Sequence, residues 1–390
     1  MSDLMGNLCC SSSWVAVIVE GSSPCPRSRG NLPIRVRCVI AYIRPRKRGS
    51  DMSFTSSLKV AKHYYDKDRN GPVMIDLHPT LACQNKCSFC ISANFHVSGI
   101  ERANFNRKHQ LDWDVLKKVV GELDDMNVKS VQLTGGGEPT LYNHFTDLLY
   151  ELKSFGIKVG LITNGIKAGE YAKELLDTVD WMRFSLDASN PNMYRQIKVT
   201  EHFEDVMESI GRVTQLRKES NLRKVRIGVA YIITHESMNG IEEISSRFIE
   251  EGTDIDYLQF KDVVMRGMTL TPYYHQVIEK KIDEAKHYAT GFQVMYTKHG
   301  GVQTDQEEMK RCNATDFVAI LGADGNVYPC CHLEYIPSVS YGSVYDRPFS
   351  HIWEKRPELK IREELCWNCR FSEINKVITD LDDIQDGCFL

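Results

Sequence analysis

Between residues 73 and 265 the chain alternates between two hydrophobic periods, and few architectures tolerate that. "VMIDLHP" reads as a buried strand, and "WDVLKKVVGELDDM" has helical spacing with Asp112 as its N-cap. "SVQLTGGGEP" is a strand running into a glycine turn, and "FTDLLYELKSFG" is a helix closed by Gly156. The pattern continues through the strands "KVGLITNG", "WMRFSLDA", "VRIGVAYIIT" and "DYLQFKDVV". Between them lie the helices "YAKELLDTV", "FEDVMESIGRVTQLRKES" and "GIEEISSRFIEEG". Six strands separated mostly by helices predict an α/β fold with a parallel sheet and right-handed crossovers, open or closed into a barrel. Ligands in such folds sit at the C-terminal strand ends. The chemically notable residues fall there: cysteines after the first strand, glycines after the second, Asn164 after the third, and Ser185 and Asp187 near the end of the fourth.

The flanks read differently. Residues 1–51 are rich in Ser, Pro and Arg and carry eight basic against three acidic residues. They are expected to be an irregular basic segment, either a tail or sequence upstream of a true start at Met52; the second reading is preferred. After about residue 270 a helical stretch, "YYHQVIEKKIDEAKHYA", leads into short strands with a hairpin turn at "ADGN". The expected organisation is therefore 1–51, a core over 52–270, and a smaller α+β domain over 271–390. A net charge of −4 gives no reason to expect nucleic acid or an anionic membrane as partner. No apolar run approaches a membrane span, and "WVAVIV" lacks the basic leader of a signal peptide. A cytoplasmic location is expected.

Thirteen cysteines occur in three groups: four before residue 40, then Cys83, Cys87 and Cys90, then six from Cys312 onward. The gap between Cys90 and Cys312 argues against a disulfide-laced fold. Three thiols within eight residues, spaced C-x3-C-x2-C, suit an iron–sulfur cluster better than zinc, which usually takes cysteine pairs. A [4Fe–4S] cube held by three cysteines leaves one iron for an exogenous ligand.

C-x3-C-x2-C after the first strand, with Phe89 just before the third cysteine, resembles the signature of the radical S-adenosylmethionine (SAM) superfamily. The resemblance extends to "GGGEP", Gly135, Gly136, Gly137, Glu138 and Pro139, after the second strand. It covers roughly residues 70–265 as a partial (β/α)6 barrel. It implies that the methionyl amine and carboxylate of SAM chelate the fourth iron of the cluster on Cys83, Cys87 and Cys90. It also implies that Glu138 pairs with the methionyl ammonium, and that Asn164 and Ser185 contact the ribose and carboxylate. The family's chemistry is hydrogen abstraction by a 5′-deoxyadenosyl radical, with electrons from a flavodoxin- or ferredoxin-type reductant.

The late cysteines resemble the SPASM and shorter twitch domains of one branch of that superfamily. Cys312, twelve residues, Gly325, four residues and Cys330 fit their hairpin element, and Cys366-x2-Cys369 follows. The full SPASM pattern would continue with cysteines where Asn375 and Thr379 stand, so one auxiliary [4Fe–4S] cluster is expected, held by Cys312, Cys330, Cys366 and Cys369. Four ligands leave it no open iron and suggest electron transfer. Cys331, next to Cys330, is the alternative ligand, and Cys388 is unassigned.

Such enzymes act on small polar molecules such as cyclitols, aminosugars and nucleoside sugars, or on peptides. The resemblance to sugar- and cyclitol-modifying members implies a small-molecule substrate and, as the leading outcome, two-electron oxidation of an alcohol in antibiotic or natural-product biosynthesis. Decarboxylation, epimerisation and a peptide- or protein-modifying maturase are the competing reactions, and a non-catalytic iron–sulfur or zinc module is the non-enzymatic one. Asp187 is a candidate for substrate contact, and Lys261 and Arg266 for binding a carboxylate or hydroxyls; a structural charge is an equal alternative for each.

Overall fold

The computed structural model describes residues 70–92, 105–220, 225–263, 270–298 and 311–360, two strands near the N-terminus, and six single positions between 369 and 378. Met52, Arg266, Cys366 and Cys388 lie outside the described residues. The chain divides into two compact units, residues 67–370 and residues 1–66 with 371–390.

In the smaller unit, β1 (Val15–Glu20) pairs antiparallel with β2 (Cys38–Ile43), Val15 opposite Ile43. This corrects the reading of residues 1–51 as irregular throughout. "VAVIVE" and "CVIAYI" are short β-branched runs within Ser-, Pro- and Arg-rich sequence, which hid them.

The larger unit follows the alternation: β3 (Met74–Leu77), α1 (Trp113–Asp125), β4 (Ser130–Leu133), α2 (Phe145–Ser154), β5 (Lys158–Thr163), α3 (Ala172–Thr178) and β6 (Trp181–Ser185). Then come α4 (Pro191–Lys198), α5 (Phe203–Glu219), β7 (Arg226–Ile233), α6 (Ile241–Glu250) and β8 (Tyr257–Asp262). The local signals worked as expected. The Asp112 carboxylate accepts from Val115 N–H at 3.0 Å at the start of α1. Gly156 takes φ +69° after α2 and donates its N–H to Lys153 O.

β3 to β8 are parallel in chain order. Their alternation sorts the two faces. Ile75, Leu77, Val131, Leu133, Met182, Phe184, Ile227, Val229, Leu258 and Phe260 are essentially inaccessible. They share one core with Leu116, Val119, Val120 and Leu123 of α1 and the apolar stripes of the other helices. The intervening positions carry Asp76, Gln132, Arg183, Ser185, Gln259 and Lys261, and these line a cavity.

The segment after residue 270 extends this same sheet at both edges. α7 (Pro272–Tyr288) crosses over to β9 (Gln293–Thr297), which lies parallel to β8. β10 (Val318–Leu321) lies parallel to β3, and β11 (Asn326–Tyr328) returns through the expected turn, with Gly325 at φ +79°. β12 (Gly342–Ser343) ends the ten-stranded sheet, and α8 (Phe349–Lys355) follows. Among the described residues the sheet is open, with β9 and β12 at its edges. No helix among them is long and apolar enough to cross a membrane.

Candidate functional site

The loop after β3 carries Cys83, Cys87 and Cys90, all partly exposed thiols. Two neighbours hold it. On one side Ala82 O accepts from Glu138 N–H at 2.7 Å. A Cβ at Gly137 would come within 2.5 Å of Ala82 O, and one at Gly136 within 2.3 Å of the Leu81 side chain. These glycines let the second loop lie directly on the cysteine loop. Their close approach is to protein. On the other side Lys86 N–H donates to Lys198 O at 2.9 Å and Ser88 N–H to Ile197 O at 3.1 Å. Asn85 donates to the Tyr194 hydroxyl and accepts from Thr200. The C-terminal end of α4 is thus a seat for the cysteines.

Glu138 is 1% exposed and sits among four donors. Its Oε1 accepts from Thr163 Oγ1 (2.6 Å), Thr140 Oγ1 (2.8 Å) and Thr140 N–H (3.2 Å), and its Oε2 from Asn164 N–H (2.6 Å). Burial raises its pKa above the ordinary value, against the pull of those hydrogen bonds. Glu138 therefore ties the turn after β4 to the end of β5. Asn164 is drawn the same way: its Nδ2 donates to Gln84 Oε1 at 2.9 Å and stands 3.9 Å from Cys83 Sγ. Burial, then the Glu138 carboxylate, push the Cys83 thiol up to about 11.

The cavity measures about 550 Å³ and brings nearly all the sequence candidates together. Cys83, Cys87, Phe89, Cys90, Gly135, Gly137, Glu138, Asn164, Ser185, Asp187 and Lys261 line it. Gly136 is turned into the packing against Leu81 and Tyr335, and Pro139 is buried at the start of a short 3-10 turn. Asp187 lines the wall, but both its oxygens are engaged. Oδ1 accepts from Ile232 N–H at 2.7 Å, and Oδ2 forms a buried ion pair with Lys198. Lys198 was not foreseen. Burial alone would lower its pKa, but Asp187, and after it Cys87, hold it above the ordinary value.

Other lining residues escaped sequence reading because distant strands deliver them. Asp76 Oδ1 accepts from Gln132 Nε2 at 2.7 Å, and Arg183 Nη1 donates to Gln259 Oε1 at 3.2 Å. Gln259 Nε2 donates to Thr297 Oγ1 at 3.0 Å. Asp262 accepts from the Tyr296 hydroxyl at 2.8 Å and pairs with His275 at 3.1 Å. Because β10 lies beside β3 and β11 beside β10, Cys331, His332 and Glu334 reach the same cavity. Glu334 accepts from Ser92 Oγ at 2.5 Å. His78 Nδ1 accepts from Gly136 N–H at 3.2 Å and lies 2.8 Å from the Tyr335 hydroxyl.

The second cysteine group is separate and more enclosed. Cys312 is buried, while Cys330, Cys331 and Cys369 keep some exposure. Desolvation, then Cys331 and Cys312, raise the Cys330 pKa well above its ordinary value, and Cys369 adds to this. Cys330 is thus near enough to Cys312 and Cys369 to feel their charge, whereas Cys331 also lines the main cavity. Among the described residues no three His, Cys, Asp or Glu side chains gather tightly enough for a single metal ion. The donor set of each group is thiolate, the chemistry of iron–sulfur sites.

Comparison with known proteins agrees with this geometry. Residues 77–246 match the radical SAM superfamily, and residues 312–370 match the SPASM iron–sulfur cluster-binding domain. The tungsten-containing aldehyde ferredoxin oxidoreductase cofactor-modifying protein of Pyrococcus furiosus is 24% identical over 307 residues, 71% of this chain and 79% of that protein. A GTP 3',8-cyclase of Vibrio vulnificus is 28% identical over 200 residues, 49% of this chain and 58% of the cyclase. The chain thus spans little more than half of that enzyme. The crystal structure of Streptococcus suis SuiB bound to S-adenosylmethionine has a similar fold, with a TM-score of 0.57 at 16% identity over 77% of this chain and 69% of SuiB. With residues 77–246 matching the one model and residues 312–370 the other, the chain carries a radical SAM domain followed by a SPASM iron–sulfur domain, and these imply SAM, a [4Fe–4S] cluster and auxiliary iron–sulfur chemistry as its cofactors.

Proposed function

We propose that this enzyme removes hydrogen from a small polar substrate, with net two-electron oxidation of an alcohol as the outcome. The observation that carries this reading is the shared cavity. It brings Cys83, Cys87 and Cys90, with Glu138 and Asn164, together with a layer of polar side chains borne on strands, Asp76, Gln132, Arg183, Ser185, Gln259 and Lys261. Its volume of about 550 Å³ has to take the cluster and SAM as well, which leaves little space for a substrate beyond a small molecule. The Asp76–Gln132 and Arg183–Gln259–Thr297 hydrogen bonds pre-orient donors and acceptors on rigid strands.

In this reading Cys83, Cys87 and Cys90 would hold the [4Fe–4S] cluster, and Glu138, Asn164 and Ser185 would line the place of SAM. When bound, the reduced cluster and SAM supply the hydrogen-abstracting 5′-deoxyadenosyl radical. The chain's own residues hold the substrate C–H in place and keep water away. Cys312, Cys330, Cys366 and Cys369 hold one auxiliary cluster, saturated by protein and suited to accepting an electron. A flavodoxin- or ferredoxin-type protein is the reductant.

A second reading, modification of a peptide or of another protein's cofactor, is favoured by sequence likeness. Relatives include the Pyrococcus furiosus cofactor-modifying protein and a mycofactocin maturase of Mycolicibacterium smegmatis, the latter 20% identical over 300 residues. Anaerobically purified protein should hold about eight irons per chain for two four-iron clusters, and stoichiometric zinc instead would end the scheme. Screening sugars, sugar acids, nucleosides and short peptides for 5′-deoxyadenosine release, with product analysis, separates the readings. Release with peptides alone rejects the small-molecule proposal. A decarboxylated or epimerised product rejects oxidation.

A further inference from the structure

α4 gives the cysteine loop more than a seat. The carbonyls that accept from Lys86 and Ser88 are the last two of the helix, so they flank Cys87 on either side. A helix C-terminus carries roughly half a negative charge. That is an unfavourable neighbour for thiols that ionise to ligate iron. The side chain of Lys198 reverses the sign. It is 2% exposed, is paired with Asp187, and stands over the Phe89 ring, 5.5 Å from its centroid. Lys198, Asp187, Phe89 and Cys87 all line the same cavity.

The pair is also held by strained backbone. Asp187 has φ +60°, and Val199, directly after Lys198, has φ +58°. A β-branched residue in that region is an outlier that the surroundings must enforce. Stability alone does not account for the pair, because buried ion pairs are often replaced by apolar residues without loss.

We propose that Lys198 and Asp187 set the reduction potential of the iron–sulfur cluster on the Cys83–Cys90 loop: the ammonium beside Cys87 favours the reduced, more negative state, and the carboxylate limits that effect. The inference rests on the assignment of the cluster to this loop. Lys198 is a positioning residue here, acting through the cluster's charge. Its effect must therefore be present without substrate and without SAM.

The test is a redox titration of the reconstituted full chain in the absence of SAM, following the electron paramagnetic resonance signal that Cys87→Ala abolishes. Lys198→Met should move the midpoint to more negative values by at least a tenfold change in the reduction equilibrium, about 59 mV for one electron. Asp187→Asn, which leaves the ammonium uncompensated, should move it the opposite way. The double variant Lys198→Met with Asp187→Asn leaves no lone buried charge and should still lower the potential, by less than Lys198→Met. It carries the test if either single variant fails to fold. Iron content equal to wild type with unchanged midpoints overturns the proposal and leaves the cluster assignment standing. If Cys87→Ala removes neither a signal nor iron, the cluster assignment fails and the proposal with it.

Discussion

The two cysteine groups are built from the same donor atom, yet the chain assembles them differently. Cys83, Cys87 and Cys90 fall on one short loop, partly exposed, and all line the cavity. Cys312, Cys330 and Cys369 come from segments far apart in sequence, and of these Cys312 is buried. In the proposed reading the first group offers a metal centre to SAM, and the second holds an electron relay.

The largest effect should come from breaking the open group. Cys87→Ala should remove about four of about eight irons per chain and abolish 5′-deoxyadenosine formation from SAM. Full cleavage activity in that variant would erase the distinction between the groups. Cys312→Ala with Cys330→Ala should likewise lose about four irons, but keep SAM cleavage while losing net oxidation of substrate. Unchanged product formation would show that the enclosed group is no relay.

Smaller effects sharpen what supports the open loop. Gly137→Ala drives a Cβ against the backbone of the cysteine loop, and should destabilise the apoprotein by about 1–3 kcal/mol in denaturant melts. A wild-type midpoint would mean that the two loops are less tightly apposed. Asn190 caps α4 by accepting from Met193 N–H at 3.0 Å. Asn190→Ala should cost about 1 kcal/mol and slow iron incorporation, and a wild-type loading rate would separate α4 from the loop.

The subtlest test is pH. The folded pKa of Glu138 is raised above the ordinary 4.5. Its stabilising contribution is therefore complete below that value and is lost as pH rises through the folded pKa. Apoprotein stability relative to Glu138→Gln should fall over that window. A rising difference would reverse the sign assigned to its burial.

The six core strands were legible because each is a compact apolar run with a helical stripe or a turn after it. The cysteine loop and the glycine turn were legible because their spacing is local. α4 escaped because "PNMYRQIK" is short and mostly polar, although Asn190 followed by Pro191 is a helix-start signal. With it went Lys198, whose partner Asp187 lies eleven positions upstream across a turn. His332 and Glu334, and the place of Cys331 in the cavity, escaped for a topological reason. Nothing in their local sequence says that β10 settles beside β3. The same pairing explains why the late strands continue the first sheet.

That pairing also has a consequence for how the molecule comes into being. Met74 lies beside Val318, so the strand that launches the cysteine loop keeps one edge unpaired until most of the chain has been made. Contacts between positions so distant form late, and synthesis delivers the N-terminal portion first. An unfinished chain ending before β10 therefore exposes a row of backbone donors and acceptors along β3 that another chain can pair with. The nascent protein is most prone to aggregation where the finished one is most reactive, and its final strands close that edge.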